Sequence, residues 1–436
     1  MGKGLNVSIS NSLPVPLTID YSNIENVHQH GEQGSNFDPI TGTLQPGQSL
    51  SQYIEASFHV VWVPSKFSMN LHGNFDSFSL DFSEQNSTWS VTPKTVSSGE
   101  VQVTAIAVPG TQDTINVGIH RHASWLPQSW MSDLSSIIGD RPINQIAIPG
   151  SHDSGTSAIT PLSPIAPDQD VTDRLNYLWS IPAVGLATNA VIAGWSKSQH
   201  LTILDQLIAG IRYLDLRVVL SGSDYYICHG MYSWNFDVVV ADVKKFVAEF
   251  PKEIIIFDIN HLHNFQKEPI KDAEHMGLIS KLFEAFGDKM APNSLIATTP
   301  LSTFQESGYQ IIALYALGYE NVVSNPTLNQ GGRLWSQNRM YPSSWVNQHN
   351  LDELVPALLN NLNDRPNNQL YTLSAVVTPA PPTMLKASSL QDLGRAVLPT
   401  ICNCISEWKP KCIVTVDWFD CLESTFVDTV VNQNLH

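Results

Sequence analysis

The sequence predicts an α/β fold: a (β/α) barrel preceded by an all-β, sandwich-like domain. Three observations carry this. Residues 1–122 contain short alternating strands separated by turn clusters. From Trp125 onward, apolar strands alternate with amphipathic helices over about 310 residues, enough for a barrel of the usual ~250 residues. Polar residues recur where those strands end, on the rim where barrel enzymes build their sites.

The bulk composition agrees with a folded, two-domain chain. It has 436 residues, 42% of them apolar and 14% charged. A net charge of -17 argues against a nucleic-acid partner, because phosphate backbones attract basic faces. The most apolar stretch, residues 181–194, is interrupted by Gly, Pro and Asn and is shorter than the ~20 residues of a membrane span. No apolar signal segment follows Met1, so the expectation is a protein secreted or delivered to a membrane surface without a recognisable signal peptide, or otherwise cytoplasmic. The spacing of Cys228, Cys402, Cys404, Cys412 and Cys421 matches no common zinc pattern, which favours reduced buried thiols.

In the first domain, residues 1–122, Leu5, Val7 and Ile9 alternate, as do Phe78, Leu80 and Phe82, then Val101 and Val103. Turn clusters at 45–48 and 97–99 separate such runs. Its histidines, His28, His30, His59, His72, His120 and His122, are scattered, so an accessory targeting or binding role is expected. In the second domain, residues 123–436, an apolar strand leads to a Pro149-Gly150 turn and then to His152-Asp153. A long insertion over 157–196 follows. Further strands are expected at 211–219, 225–230, 253–260, 311–315, 371–377 and 413–417. Helices are expected at 201–209 and 238–250, and near 276–286, 351–362, 390–405 and 422–433.

The strand ends bring together His152 and Asp153, Asp215 and Arg217, His229, Asp258 and Asn260, and Asp417. Such a set suits phosphodiester cleavage. One imidazole removes a proton from an attacking hydroxyl and the other protonates the leaving oxygen. A guanidinium grips non-bridging phosphate oxygens, and a carboxylate behind an imidazole fixes its tautomer. Arg217 read structurally would be an ion-pair partner of Asp215, and Asp258 a strand-end cap.

The runs 148–155, Trp195 with Gln199 and Gln206-Leu207, 210–217 and His229-Gly230 occur in order. Together they resemble the phosphatidylinositol-specific phospholipase C X-domain family, especially its bacterial and X-domain-only members, over residues 123–436. The resemblance implies a distorted TIM-type barrel that cleaves phosphatidylinositol to diacylglycerol and a cyclic inositol phosphate at a phospholipid membrane surface. It implies that His152 is the general base on the inositol 2-hydroxyl and His229 the general acid for the diacylglycerol oxygen. Asp153 would support His229, and Asp417 would support His152. Arg217 stands where calcium-dependent members carry a metal-binding carboxylate and calcium-independent bacterial members carry arginine, which implies no metal cofactor. Asp215 fits an active-site carboxylate.

Two positions depart from the pattern. Asn260 stands where secreted bacterial enzymes carry lysine and calcium-using ones glutamate, and the strand at 311–315 lacks the arginine that secreted enzymes place on the inositol ring. The head group therefore stays open. Trp335 and Tyr341, with Trp345, are candidates for an aromatic wall around it. Within the insertion, Tyr177, Trp179, Ile181, Val184, Leu186, Val191, Ile192 and Trp195 are expected to reach the bilayer, with burial against the barrel as the alternative for the tryptophans. Competing functions are a metal-using barrel phosphodiesterase on another phospholipid head group and a lipid- or glycan-binding toxin module without catalysis. Oligomeric state is not legible.

Overall fold

The computed structural model describes residues 4–11, 17–25, 27–28, 41–45, 48–56, 66–72, 78–85, 88–94, 101–108, 113–121, 125–167, 188–264, 270–316, 318–340, 345–380, 387–422 and 424–435. Two compact units divide the chain. One comprises Met1–Ser124 with Cys402–Trp408, the other Trp125–Ile401 with Lys409–His436.

The first unit is all-β among its described residues before position 125. Its strands are β1 (Gly4–Asn11), β2 (Leu17–Glu25), β3 (Val27–His28), β4 (Gly42–Leu44), β5 (Ser49–Ala56), β6 (Lys66–His72), β7 (Phe78–Gln85), β8 (Thr88–Lys94), β9 (Val101–Val108) and β10 (Asp113–Arg121). They form two five-stranded sheets, ordered β3-β5-β1-β10-β9 and β4-β2-β6-β7-β8. Period-2 alternation explains the strands: Leu5, Val7 and Ile9 are buried on one face of β1, and Leu80 and Phe82 on one face of β7. Phe67 and Phe82, directly paired across β6 and β7, stack with ring centroids 4.5 Å apart.

The second unit is built on β11 (Ile148–Ser151), β12 (Tyr213–Ser221), β13 (Asp224–His229), β14 (Met231–Asn235), β15 (Ile255–Asn264), β16 (Ile311–Tyr315), β17 (Leu334–Ser336), β18 (Thr372–Ser374) and β19 (Ile413–Val416). Seven of these run parallel in the order β17-β16-β15-β12-β11-β19-β18, and β13 and β14 extend β12 as an antiparallel hairpin. The sheet curls. Its two edges approach through a single bridge between Met340, just after β17, and Leu370, just before β18. The fold is thus a distorted barrel. Its central strands read as continuous apolar runs because helices cover them. Helix Phe236–Glu249 shows how: Val239, Val240, Val243, Phe246 and Val247 fall on one buried stripe, and the Asn235 side chain caps it by accepting from Asp237 N at 2.8 Å.

Three local details differ from the sequence expectation. Pro149 and Gly150 form no turn; both lie inside β11. Pro149 sits opposite Arg212, one residue before β12 begins, so its missing N–H removes no ladder bond, and its carbonyl still accepts from Arg212 N at 2.9 Å. A Cβ on Gly150 would come 2.8 Å from Thr415 Cγ2 and 2.9 Å from Tyr213 Cδ1, so glycine lets three strands close up there. The expected strand at 371–377 is only Thr372–Ser374. β14 and β17, which the sequence did not announce, each add a short strand. Finally, Arg212 and Glu253 form a fully buried ion pair at 2.8 Å, with Arg212 also donating to the carbonyls of Leu207 and Ile211. This pair ties the start of β12 to the segment entering β15.

Candidate active site

The rim at the C-terminal ends of β11, β12 and β19 is set by a clamp of small polar groups. His152 N donates to Val416 O at 3.1 Å, continuing the β11–β19 ladder by one residue. The Gln199 amide donates to both His152 O (3.1 Å) and Val416 O (2.9 Å), which holds the next turn against β19. Asp153 then takes a left-handed backbone, φ 43°, a conformation Asp tolerates better than most residues. Ser154 exchanges bonds with Asp215: Ser154 N donates to Asp215 O at 2.8 Å and Asp215 N to Ser154 Oγ at 2.9 Å. Gln206 accepts from Ser151 Oγ and donates to Ser154 O, both at 2.7 Å. The kink at Asp153 turns its side chain inward while the flanking backbone stays pinned.

Inside this frame the charged side chains converge. His152 Nδ1 lies 2.8 Å from Asp417 Oδ1, and His229 Nδ1 lies 2.9 Å from the Ser196 carbonyl. A carbonyl only accepts, so His229 carries its Nδ1 proton and turns Nε2 to the cleft. Both Nε2 atoms face one oxygen, Asp153 Oδ2, at 3.3 Å each. That oxygen accepts an aligned hydrogen bond from neither ring. Arg217 Nε holds the other oxygen, Asp153 Oδ1, at 2.9 Å. Asp153 N donates to Asp215 Oδ2 at 3.1 Å, and Asn260 donates to Asp215 Oδ1. Asn260 reaches Asp215 because it is the extra residue of a bulge: Leu216 pairs with Ile259 but Arg217 with His261.

The electrostatics follow from burial and this crowding. Burial opposes the charged form of His152, but Asp153, Asp417 and Asp215 outweigh it and raise the imidazole to about 9. Burial also works against ionised Asp153, yet Arg217 and the imidazoles hold it well below the usual carboxylate range. Asp215 is pushed up, first by burial and then by Asp153. Asp258, buried and accepting from Tyr213 OH at 2.7 Å and from the Gln337 amide, is pushed up to about 7 by burial. The ligand atoms of His152, Asp153 and Asp215 lie within 4.8 Å of one another, close enough to share a cation. Arg217 already brings a positive charge to that cluster.

The structure therefore brings together His152, Asp153, Asp215, Arg217, His229, Asn260 and Asp417 from positions far apart in sequence. Arg217 pairs with Asp153, a partner the structural reading of Asp215 did not foresee. Trp335 does not join them. It is fully buried, donates its indole N–H to Ala291 O at 3.0 Å and packs on Phe304, so it is core. Tyr341 lies outside the described residues. Trp345 does reach the site: its ring stacks on His152 with centroids 5.2 Å apart and planes 27° from parallel. Trp195 and Ile192, expected at the bilayer, are instead buried with Ile159, Met231, Leu390 and Trp418, because helix Thr188–Ser196 packs its apolar side there. Tyr177, Trp179, Ile181, Val184 and Leu186 fall outside the described residues. Two supporting groups escaped the sequence reading, Tyr213 and Gln337 on Asp258. Tyr213 precedes Asp215 by two residues, so strand alternation signals it; Gln337 has no local signal.

No family model matches the chain. Among curated proteins it is similar to PI-PLC X domain-containing protein 2 of Homo sapiens, 30% identical over 262 residues, which cover 59% of this chain and 79% of that protein. The mouse protein of the same name is 29% identical over 317 residues, 70% of this chain and 87% of that one. The variant-surface-glycoprotein phospholipase C of Trypanosoma cruzi is 29% identical over 279 residues, 59% of this chain and 68% of that one. A solved phosphatidylinositol-specific phospholipase C mutant from Staphylococcus aureus superposes with a TM-score of 0.49 at 18% identity, over 70% of this chain and 97% of that one.

Proposed function

Because the chain belongs to the family of PI-PLC X domain-containing proteins, we propose that it cleaves an inositol phospholipid to diacylglycerol and a cyclic inositol phosphate. The observation that carries this reading is the convergence of two imidazole Nε2 atoms on one carboxylate oxygen at 3.3 Å, beside a guanidinium. In the neutral form, His152 takes the proton of the inositol 2-hydroxyl, with Asp417 holding its tautomer. The freed oxygen attacks phosphorus, the bond to the diacylglycerol oxygen breaks, and His229 delivers a proton to that leaving oxygen. Arg217 balances charge on the non-bridging oxygens as it grows, without water having to reorient. Because His152 lies at about 9 in the free protein, its neutral fraction grows as pH rises through that value. Since His229 must at the same time keep the proton it delivers, kcat/KM should follow a bell-shaped pH profile.

The Trp345 ring beside His152 offers an apolar wall for a sugar ring. Leu162, 93% exposed on the segment after His152-Asp153, supports contact of this rim with lipid. Residues 1–122 serve as an accessory, targeting unit. A chain starting at residue 123 is expected to keep its rate on a soluble cyclic inositol phosphate and lose activity on vesicles. Loss of both rates would refute that division of labour.

The deciding experiment incubates the purified protein with phosphatidylinositol vesicles in excess EDTA and identifies the released head group. Activity that survives EDTA, and falls at least ~10²-fold in His152→Ala and in His229→Ala, is expected. Arg217→Lys should be severely impaired, since a point charge cannot match the planar fork. A second reading draws on the proximity of the His152, Asp153 and Asp215 ligand atoms: a metal-assisted phosphodiesterase. Activity lost in EDTA and restored by calcium would establish it and overturn the arginine-only account.

A further inference from the structure

The two imidazoles of the site sit on different strands, yet one short segment, residues 196–199, bonds to both. The Ser196 carbonyl accepts from His229 Nδ1 at 2.9 Å, and the Gln199 amide donates to His152 O at 3.1 Å. The two carbonyls next in line are both taken by Trp418. Its indole N–H donates to Lys197 O and its backbone N–H to Ser198 O, each at 2.8 Å. Trp418 directly follows Asp417, whose Oδ1 lies 2.8 Å from His152 Nδ1. A single residue thus joins the anchor of one ring to the anchor of the other.

The backbone shows that this join is imposed on the chain. Trp418 has φ 47°, in the left-handed region that bulky residues avoid and glycine enters without strain. A tryptophan held there means that its contacts outweigh the strain, and strain of this kind clusters at functional sites. The side chain is buried in one apolar cluster with Trp195, Met231 and Leu390. Met231 stands two residues after His229, so the cluster also reaches the hairpin that carries the second imidazole. The His200 ring covers Trp418, with centroids 5.1 Å apart and planes 19° from parallel. A Cβ on Gly394 would come 3.2 Å from both Asp417 O and Trp418 Cβ, so bare backbone packs close against this corner.

We propose that Trp418 is a positioning residue that fixes the separation of the two imidazoles, by locking the segment that orients His229 to the strand end that orients His152. Their ring centroids lie 6.3 Å apart. This rests on the acid–base reading of the two histidines given above. The Ser196 carbonyl keeps the His229 proton on Nδ1 and Nε2 turned to the cleft. Releasing Lys197 O lets that carbonyl drift, so the neutral ring samples its other tautomer and its Nε2 leaves the line of the departing oxygen.

The test compares two variants of the full chain. Trp418→Phe keeps a buried ring and loses the indole N–H. Leu390→Ala loosens the same apolar cluster without touching either carbonyl bond. Nitrogen NMR of the neutral His229 ring should show one tautomer, protonated on Nδ1, in the wild type and in Leu390→Ala, and a mixture in Trp418→Phe. On phosphatidylinositol vesicles, kcat should fall at least about tenfold in Trp418→Phe with KM little changed, as for a lost hydrogen bond that orients a catalytic group. Leu390→Ala should keep its kcat below its unfolding temperature. If Trp418→Phe does not fold, replacing the indole by benzothiophene, of equal size but without the N–H, gives the same comparison. The tautomer is read without substrate, so a wild-type protein that cleaves no phosphatidylinositol would refute the acid–base reading and not the lock. A single Nδ1 tautomer in Trp418→Phe, or the same mixture in Leu390→Ala, would overturn the proposal.

Discussion

Asp153→Asn removes one charge from the centre of the site and little else. Asn tolerates the left-handed backbone that Asp153 adopts at φ 43°, so the turn that pins His152 should survive. What is lost is the carboxylate between Arg217 at 2.9 Å and the two Nε2 atoms at 3.3 Å. Burial alone would lower His152, and Asp153 is the foremost of the charges that instead lift it from 6.5 to about 9. That rise corresponds to about 3 kcal/mol at about 1.4 kcal/mol per pH unit. Without Asp153, His152 should titrate about 1–3 pH units lower. A raised imidazole stabilises the folded chain fully below 6.5, and the contribution is lost as pH rises through 9. The variant should therefore show its largest stability deficit below 6.5. Part of the deficit persists above 9, because the half-buried Arg217 loses the charge of the carboxylate 2.9 Å from its Nε, a loss of about 1–3 kcal/mol for a charge-assisted bond. NMR titration of the imidazole Cε1–H and urea unfolding at both ends of the pH window measure these effects, and turnover on phosphatidylinositol vesicles should fall at least ~10²-fold. A variant in which His152 still titrates near 9 with near-wild-type turnover refutes the reasoning.

Other perturbations isolate single interactions. Trp345→Ala removes the ring stacked on His152, worth about 0.5–1.5 kcal/mol for an aromatic pair, and should slow turnover by up to about tenfold while leaving the unfolding midpoint nearly unchanged; a large loss of stability would make Trp345 a packing residue instead. Asp258, raised by burial from 3.8 to about 7, favours the fold fully below 3.8, and this contribution is lost as pH rises through 7. Asp258→Asn should flatten that slope, and urea midpoints measured across the interval test it; an unaltered slope would mean that Asp258 is ionised throughout. Gly150→Ala forces a Cβ to within 2.8 Å of Thr415 Cγ2 and should destabilise by about 1–3 kcal/mol, read by thermal unfolding.

Much of this protein was legible along the chain, because periodicity and chemistry are local properties. Leu5-Val7-Ile9 and Phe78-Leu80-Phe82 announced strands by alternation, and the strand at Ile311–Tyr315 matched the expected bounds. His152-Asp153, Arg217, His229 and Asp417 stood out because each ends or follows an apolar run, where a barrel opens. Which atoms meet was not legible. Helical and strand patterns specify faces but not depth, so Trp195 read as a membrane residue until its helix packed against Trp418 and Met231. Trp335 read as a site wall although its indole N–H is spent on a core carbonyl. The bulge that brings Asn260 to Asp215 depends on a register with β12 that only pairing sets. The sequence by itself determined the two-part β and α/β texture and singled out the polar residues at the strand ends, through local pattern. Only the tertiary structure decided that one Asp153 oxygen faces both imidazoles, that Trp345 lies over His152, and that Trp418 bonds to the carbonyls of Lys197 and Ser198, because each of these depends on contacts between segments tens to hundreds of residues apart.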